Sequence, residues 1–230
     1  MDILSPMEWT AVMLSLQVAG WAIAGTLPPA ILAAWLLARL DFPGKVLLDG
    51  LFHLPLVMPP VVIGYVLLLL LGTRGPIGGF LYETFGIRLI FTSQGASVAA
   101  GVVSFPLMVR AIRLSIEAID RGLEQAARTL GAGPFDRFFT ITLPLMLPGV
   151  VSGAIIAFAS SMGEFGATIT FVSNIPGETQ TLPLAIYSAT QQPDGDAIAA
   201  RLATISFTVS LVALMASEVI ATRVRRMIGQ

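Results

Sequence analysis

The chain contains no cysteine, which excludes disulfide bonds and thiolate metal sites. It has one histidine, His53, and a single histidine cannot build a zinc site. Its one lysine, Lys45, is not part of a G-x-x-x-x-G-K-[ST] phosphate loop, so we do not expect this chain to hydrolyse ATP itself. We therefore predict no catalytic residues, no metal site and no enzymatic activity.

Charge is also scarce. Charged residues make up 12% of the 230 residues, about half of the ~25% typical of soluble domains, whereas hydrophobic residues reach 55%. A soluble domain must cover its surface with polar groups, and this chain has too few of them. The net charge of −1 gives no general attraction to nucleic acid, so we predict a membrane protein without a nucleic-acid partner.

Long apolar runs also indicate a membrane protein. A membrane helix needs ~20 mostly apolar residues. We predict an all-α membrane protein that forms one domain over residues 1–230. The first apolar run follows acidic rather than basic residues, so we expect it to be retained and not cleaved as a signal peptide. The five predicted spans are Thr10–Ala38, Leu54–Thr73, Leu89–Val109, Phe138–Gly163 and Leu202–Thr222.

Basic residues predict the orientation. An odd number of spans places the two ends on opposite sides of the membrane. Ten of the thirteen Lys and Arg residues fall in one set of connections and three, Arg74, Arg88 and Arg201, in the other. Cytoplasmic loops carry the excess of basic residues, so we predict an outside N-terminus, a cytoplasmic C-terminus and a cytoplasmic segment at residues 110–142.

The cytoplasmic segment has a polar helix in its middle, which reads "EQAARTLGAG" at residues 124–133. Glu124 and Arg128 are spaced for a favourable pair on one helix face, and Gly131 marks the helix end. One interpretation is a solvated linker between two spans. The other is a docking helix, whose apolar anchor would be Phe135, Phe138 and Phe139, because aromatic residues are common at interface cores.

The same segment resembles the signature of permease subunits of ABC importers, E-A-A followed by G and then I-x-L-P. Here the pattern is carried by Glu124, Ala126, Ala127, Gly131 and Pro144, with Gln125 between the glutamate and the alanines, which is the variant E-x-A-A. Further stretches are similar to the molybdate permease family, namely "HLPLVMPPVVIGY", "SFPLMVRAIR" and "GEFGATITFVSNIPGETQTLPLAIY". They are spread over most of residues 50–190.

The resemblance implies a function. It makes residues 117–142, approximately, the coupling-helix segment, which would sit in a cleft of a separate cytoplasmic ATPase that binds ATP and Mg. The chain would be the inner-membrane permease of an ATP-driven molybdate importer, with two ATPase subunits and a periplasmic molybdate-binding protein as partners. Five helices make a poor conduit alone, so we expect a homodimer with the path on its two-fold axis, embedded in membrane lipid.

Two glycines, two prolines and one glutamate are candidate positions for a gate or pathway: Gly163, Gly166, Pro59, Pro60 and Glu164. Glu164 is an acidic residue in an apolar surround, and such residues usually face a cavity or a partner. It either acts as a clamp at an outer gate, or it reaches water or caps a helix. The two prolines, with Pro55, either line the path or start the second span.

Two other hypotheses remain open from the sequence. The same machinery could import sulfate or tungstate, because tetrahedral dianions differ little in shape and charge. A different class is the membrane anchor of a redox enzyme complex, although haem ligation usually needs more than one histidine. The glycines of a G-x-x-x-G pattern, Gly149 and Gly153, predict close helix packing.

Overall fold

The computed structural model describes residues 4–228, and all the regular elements in that range are helical. The orientation assigned to Met1 and Gln230 concerns residues outside this range. The helices are α1 (Pro6–Arg39), α2 (Lys45–Val57), α3 (Pro60–Leu71), α4 (Pro76–Phe85), α5 (Ser93–Glu117), α6 (Arg121–Thr129), α7 (Pro134–Arg137), a π-helical turn (Phe138–Thr142), α8 (Leu143–Met162), α9 (Gly166–Val172), α10 (Leu182–Thr190) and α11 (Asp196–Ile228).

Four helical stretches in the described part of the chain are long and apolar enough to cross a membrane. They are Pro6–Arg39, Ser93–Glu117, Pro134–Met162 and Asp196–Ala216, which confirms four of the predicted spans. The fifth was expected as one segment, Leu54–Thr73, and this is wrong in detail. The structure has two helices there, α2 and α3, and the chain bends by 115° between them.

The bend between α2 and α3 has a local cause. Pro59 and Pro60 follow one another, and a proline lacks the backbone N–H that would continue the preceding helix. Met58 ends α2 in an extended conformation, and Pro60 occupies the first turn of α3, where a missing N–H is tolerated. The prolines therefore start α3, which was one of the two roles expected of them.

The first span is fixed at both ends by local chemistry. Ser5 caps α1 by accepting a hydrogen bond from the backbone of Glu8, whose carboxylate in turn accepts one from the backbone of Ser5. At the other end Leu40 leaves the helix, and Gly44 adopts a φ of 89° that glycine tolerates. Pro43 and Gly44 thus form the turn between α1 and α2.

Helix α5 is the centre of the bundle, because it packs against both α1 and α8. Small residues allow these close approaches. A Cβ added to Gly149 would lie 2.3 Å from Cβ of Ser115, and one added to Gly153 would lie 3.2 Å from Cβ of Ala111. The G-x-x-x-G prediction of close helix packing is confirmed.

Ion pairs join the helices near their ends. Arg201 of α11 contacts Glu8 of α1 at 2.6 Å, and Arg113 of α5 contacts Asp49 of α2 at 2.9 Å. In each pair the two residues belong to connections that the sequence assigns to the same side of the membrane. Helix α2 has no buried residue, and its contacts with α5 include this ion pair and the edge-to-face contact of Phe52 with Phe105.

Candidate coupling segment and gate

Helix α6 is a short, well-delimited element. Its first turn is capped by Asp120, whose carboxylate accepts a hydrogen bond from the backbone N–H of Gly122 at 2.8 Å. Its last turn closes with two backbone bonds, from Ala132 to Ala127 and from Gly131 to Arg128. This is a Schellman motif, and its left-handed position is Gly131, with φ of 90°. The predicted helix end is confirmed.

The carboxylate of Glu124 does not form the expected pair with Arg128. Its Oε1 lies 2.8 Å from Nη2 of Arg39, the last residue of α1, and accepts a hydrogen bond of 3.0 Å from the hydroxyl of Thr142. Contacts with α1 and with the π-helical turn before α8 are favoured over a pair along the surface of α6, because Arg39 and Thr142 are both shielded from water. Glu124 therefore ties α6 to two membrane-spanning segments.

Arg39 was missed as a site residue, since the sequence offers it only as one of ten basic residues on the inner side. Its side chain is 8% exposed. The contact with Glu124 has the distance of an ion pair but not the angle of a hydrogen bond, and Nε and Nη2 of Arg39 have no hydrogen-bond partner among the described residues. Only the packing of α6 against α1 brings the two residues together.

Helix α6 has two different faces. At 100° per residue, Arg121, Glu124 and Arg128 point to one side, which is the side of Arg39. Small and apolar residues occupy the opposite side. These are Leu123, Ala126, Ala127 and Leu130, of which Leu130 is 88% exposed. The two alanines of the signature therefore lie on a face that points away from the spans.

The phenylalanines do not act together as one exposed anchor. Phe135 and Phe139 are exposed, at 79% and 60%. Phe138 instead packs against the core, edge-to-face with Trp35 at 6.4 Å between ring centroids. It therefore belongs to the bundle, and its expected place in a docking anchor is wrong.

Pro144 lies in the helix that carries the chain back into the membrane. The π-helical turn just before it, Phe138–Thr142, is the local widening by which a helix accommodates a proline that would otherwise clash with the preceding turn. Pro144 is half-buried near the start of α8. It shapes the start of α8 and is not fully exposed.

The gate candidates lie around the break between α8 and α9. Gly163 ends α8 and is exposed, whereas Glu164 is only 7% exposed. The carboxylate of Glu164 accepts a hydrogen bond of 2.7 Å from the backbone N–H of Ala167 in the first turn of α9. Glu164 thus caps a helix and does not reach out to water.

Gly166 meets the second span. A Cβ added there would lie 2.9 Å from Cβ of Pro60, and a Cβ added to Gly64 would lie 2.6 Å from the carbonyl oxygen of Ala167. The structure therefore brings Gly166 and Pro60 into contact, and both Pro59 and Pro60 are exposed. Glycines are required here because the backbones of α3 and α9 approach closely.

Residues 6–226 match the family described as binding-protein-dependent transport system inner membrane component. This chain belongs to that family. It is a permease subunit and a multi-pass inner-membrane protein, as the apolar helices require.

Several curated relatives of this permease are similar along nearly the whole chain. It is 58% identical to the molybdenum transport system permease protein ModB of Escherichia coli K12, over 99% of this chain and 100% of that protein. It is 55% identical to the protein of that name from Haemophilus influenzae, over 97% of this chain and 98% of the relative. A putative molybdenum transport system permease protein of Bacillus subtilis is 42% identical over 79% of this chain and 80% of that protein.

Solved structures share the fold. A chain of a bacterial ABC transporter involved in the import of the acidic polysaccharide alginate superposes with a TM-score of 0.75 at 18% identity, over 96% of this permease and 80% of that chain. A chain of an amino acid ABC transporter gives 0.64 at 19% identity, over 95% and 94% of the two chains. The predicted fold class, an all-α ABC importer permease, is confirmed.

Proposed function

We propose that this chain is the molybdate-translocating permease of an ATP-driven importer, in which α6 is the coupling helix. Two relatives named as molybdenum transport permeases are more than half identical to it over nearly the whole chain. Family membership also argues against the alternative hypothesis that this chain is the membrane anchor of a redox enzyme complex. ATP and Mg would be bound by a separate ATPase subunit, and this chain would supply the path and the contact that drives it.

The observation that carries the proposal is the outward face of α6. Leu123 and Leu130 are exposed on a helix that otherwise presents polar and basic residues to its own bundle. Exposed leucines beside small alanines offer a surface that another protein can approach closely. The ion pair between Glu124 and Arg39 fixes the direction of this face relative to α1, so a movement of α6 is transmitted to the spans.

The complete importer would contain a homodimer of this chain. One copy places four or five spans around a closely packed centre, and a path on a two-fold axis between copies needs no opening through that centre. Two ATPase subunits would dock on the two α6 helices, and membrane lipid would cover the apolar outer faces.

A periplasmic binding protein would meet the opposite end. The segment of residues 173–200 carries exposed acidic residues, Glu178, Asp194 and Asp196, and no basic one. The ion pair of Glu8 with Arg201 holds the start of α11 beside that of α1 on this side. With an outside N-terminus, these charges face the periplasm and would steer the binding protein into place.

The coupling role is tested at Gly131. Gly131→Leu should leave membrane insertion intact but reduce co-purification of the ATPase and molybdate uptake, because a bulky side chain overpacks a fitted contact by ~1–3 kcal/mol. The structure adds a second cause, the strain of a non-glycine residue at φ of 90°. Gly131→Asn separates the two, since asparagine tolerates this conformation but still adds bulk.

Gly86 provides the matched control. It also has a positive φ, of 68°, also lies in open space, and belongs to an outer loop. Gly86→Leu should therefore reproduce the backbone strain without affecting the ATPase. If Gly131→Asn and Gly131→Leu both keep the ATPase and transport normally, α6 is only a solvated linker. Uptake of labelled molybdate in competition with sulfate and tungstate tests the substrate separately.

A further inference from the structure

The cytoplasmic end of α1 borders two adjoining cavities. The first is an apolar groove of about 420 Å³, formed by Ile31, Leu32 and Trp35 of α1 and by Phe135, Phe138 and Phe139 of α7 and the π-helical turn. Three of these side chains, Leu32, Phe135 and Phe139, are more than half exposed. The groove runs along the span, within the last turns of α1 before its inner end.

The second cavity has about 270 Å³ and opposite chemistry. Four arginines line it, Arg39, Arg121, Arg128 and Arg137, together with one acidic residue, Glu124. It shares Trp35 and Phe138 with the apolar groove, so the two are continuous. The apolar part lies on the membrane side and the basic part at the cytoplasmic end.

The positive charge of this cavity is only partly neutralised. Glu124 offsets one of the four arginines. Asp41, in the loop after α1, is paired with Lys45 at 2.9 Å, and Arg121 adds a weaker attraction; together they lower the pKa of the Asp41 carboxyl. Asp41 therefore offsets at most part of one further arginine. At least two net positive charges remain. Arg39 is buried there, with Nε and Nη2 lacking a hydrogen-bond partner in the described structure.

We propose that the groove and the basic cavity together bind one anionic phospholipid from the cytoplasmic leaflet. Its phosphate would sit among the arginines, where Arg39 still has donors to offer, and an acyl chain would lie along Leu32, Phe135 and Phe139. Basic pockets between helices on the cytoplasmic side suit lipid head groups, and a tryptophan suits the membrane–water interface. A small oxyanion would need only the basic cavity and would leave the groove unused.

The site would have a consequence for the coupling segment. The lipid would touch α1, α6 and α7 at once, on the side of α6 opposite to the face proposed for the ATPase. It would thus support the position of α6 beside the Arg39–Glu124 pair. This inference depends on residues 121–142 lying at the cytoplasmic surface of the membrane and not on which anion the permease transports.

Trp35 allows a direct test, because it lies where the two cavities meet. The full chain carrying Trp9→Phe and Trp21→Phe, which leaves Trp35 as its one tryptophan, is reconstituted into phosphatidylcholine vesicles. Brominated phosphatidylglycerol or brominated phosphatidylcholine is then added, and quenching of Trp35 fluorescence is measured against lipid fraction. We expect brominated phosphatidylglycerol to quench at a lower lipid fraction than brominated phosphatidylcholine. The ratio of these two fractions, here called the lipid preference, should be about fivefold for each arginine engaged.

Arg128→Gln should lower this preference by about fivefold, because Arg128 is exposed in the basic cavity and has no part in the pair with Glu124. Arg88→Gln is the matched control, since Arg88 is an exposed arginine of an outer loop. The lipid preference of this variant should equal that of the unchanged protein. Equal quenching by the two lipids would overturn the proposal. Loss of the preference in sodium phosphate, compared with sodium chloride of equal ionic strength, would assign the cavity to a free oxyanion instead. Loss on addition of the ATPase would assign the arginines to that subunit.

Discussion

Removal of the Glu124 carboxylate should detach the coupling helix from the spans. In Glu124→Ala, Arg39 loses its counter-ion although only 8% of its side chain is exposed, and the buried hydroxyl of Thr142 loses its acceptor. Breaking a fully buried ion pair costs roughly 3–5 kcal/mol. The Glu124 side chain is 22% exposed, so we take about 2 kcal/mol for the pair and about 1 kcal/mol for the hydroxyl.

The measurement combines three readouts on the same variant. The membrane spans keep their contacts, so the amount of inserted chain should stay near normal. Proteolysis near α6 should become faster in the purified chain, and both ATPase co-purification and molybdate uptake should fall. Glu117→Ala is the matched control, because Glu117 is also an acidic residue paired with an arginine, but its pair with Arg113 lies along one helix and is more exposed.

A double-mutant cycle gives the sharpest form of this test. If Arg39 and Glu124 act as a pair, Arg39→Ala combined with Glu124→Ala should be less damaging than the sum of the two single changes, with a coupling of about 2 kcal/mol. Glu124→Gln should lie between wild type and Glu124→Ala, because its amide oxygen still accepts from Thr142. A coupling near zero, or a Glu124→Ala variant that matches Glu117→Ala in all three readouts, would refute the reasoning.

Three other changes test the packing and the outer side. Gly149→Leu should reduce the amount of folded chain, because its Cβ would meet Ser115 at 2.3 Å, whereas Gly25→Leu, in open space on α1, should not; equal yields would argue against the close contact. Glu164→Gln should keep the cap on α9 and most of the uptake, while Glu164→Leu should lose about 1 kcal/mol of capping, so equal uptake by the two would rule out the cap as the important feature. Charge reversal at Asp194 and Asp196 together should slow docking of the binding protein, more so at low salt, and unchanged uptake at every salt concentration would exclude that surface.

Much of the fold could be predicted because the bilayer imposes it. Few charges and long apolar runs leave helices as the simplest way to satisfy the backbone in lipid, so four spans followed directly from segment length. The end of α6 at Gly131 and the turn at Gly44 could also be predicted, since each depends on the backbone freedom of one glycine. The bend of the second span was harder, because two adjacent prolines can start a helix or kink one, and the neighbouring helices select between these.

The sequence by itself determined the class of protein, the end of the polar helix α6 and the glycines at which helices approach closely. These features depend on local composition and on residue spacing along one helix, and both can be read from neighbouring residues in the sequence. The tertiary structure alone decided the partner of Glu124, the inward turn of Phe138 and the arginine-lined cavity beside Trp35. Arg39 and Glu124 are far apart in sequence. A carboxylate pairs with the cation that folding brings within about 3 Å in the least exposed position, and residue spacing along one helix does not predict which cation that is.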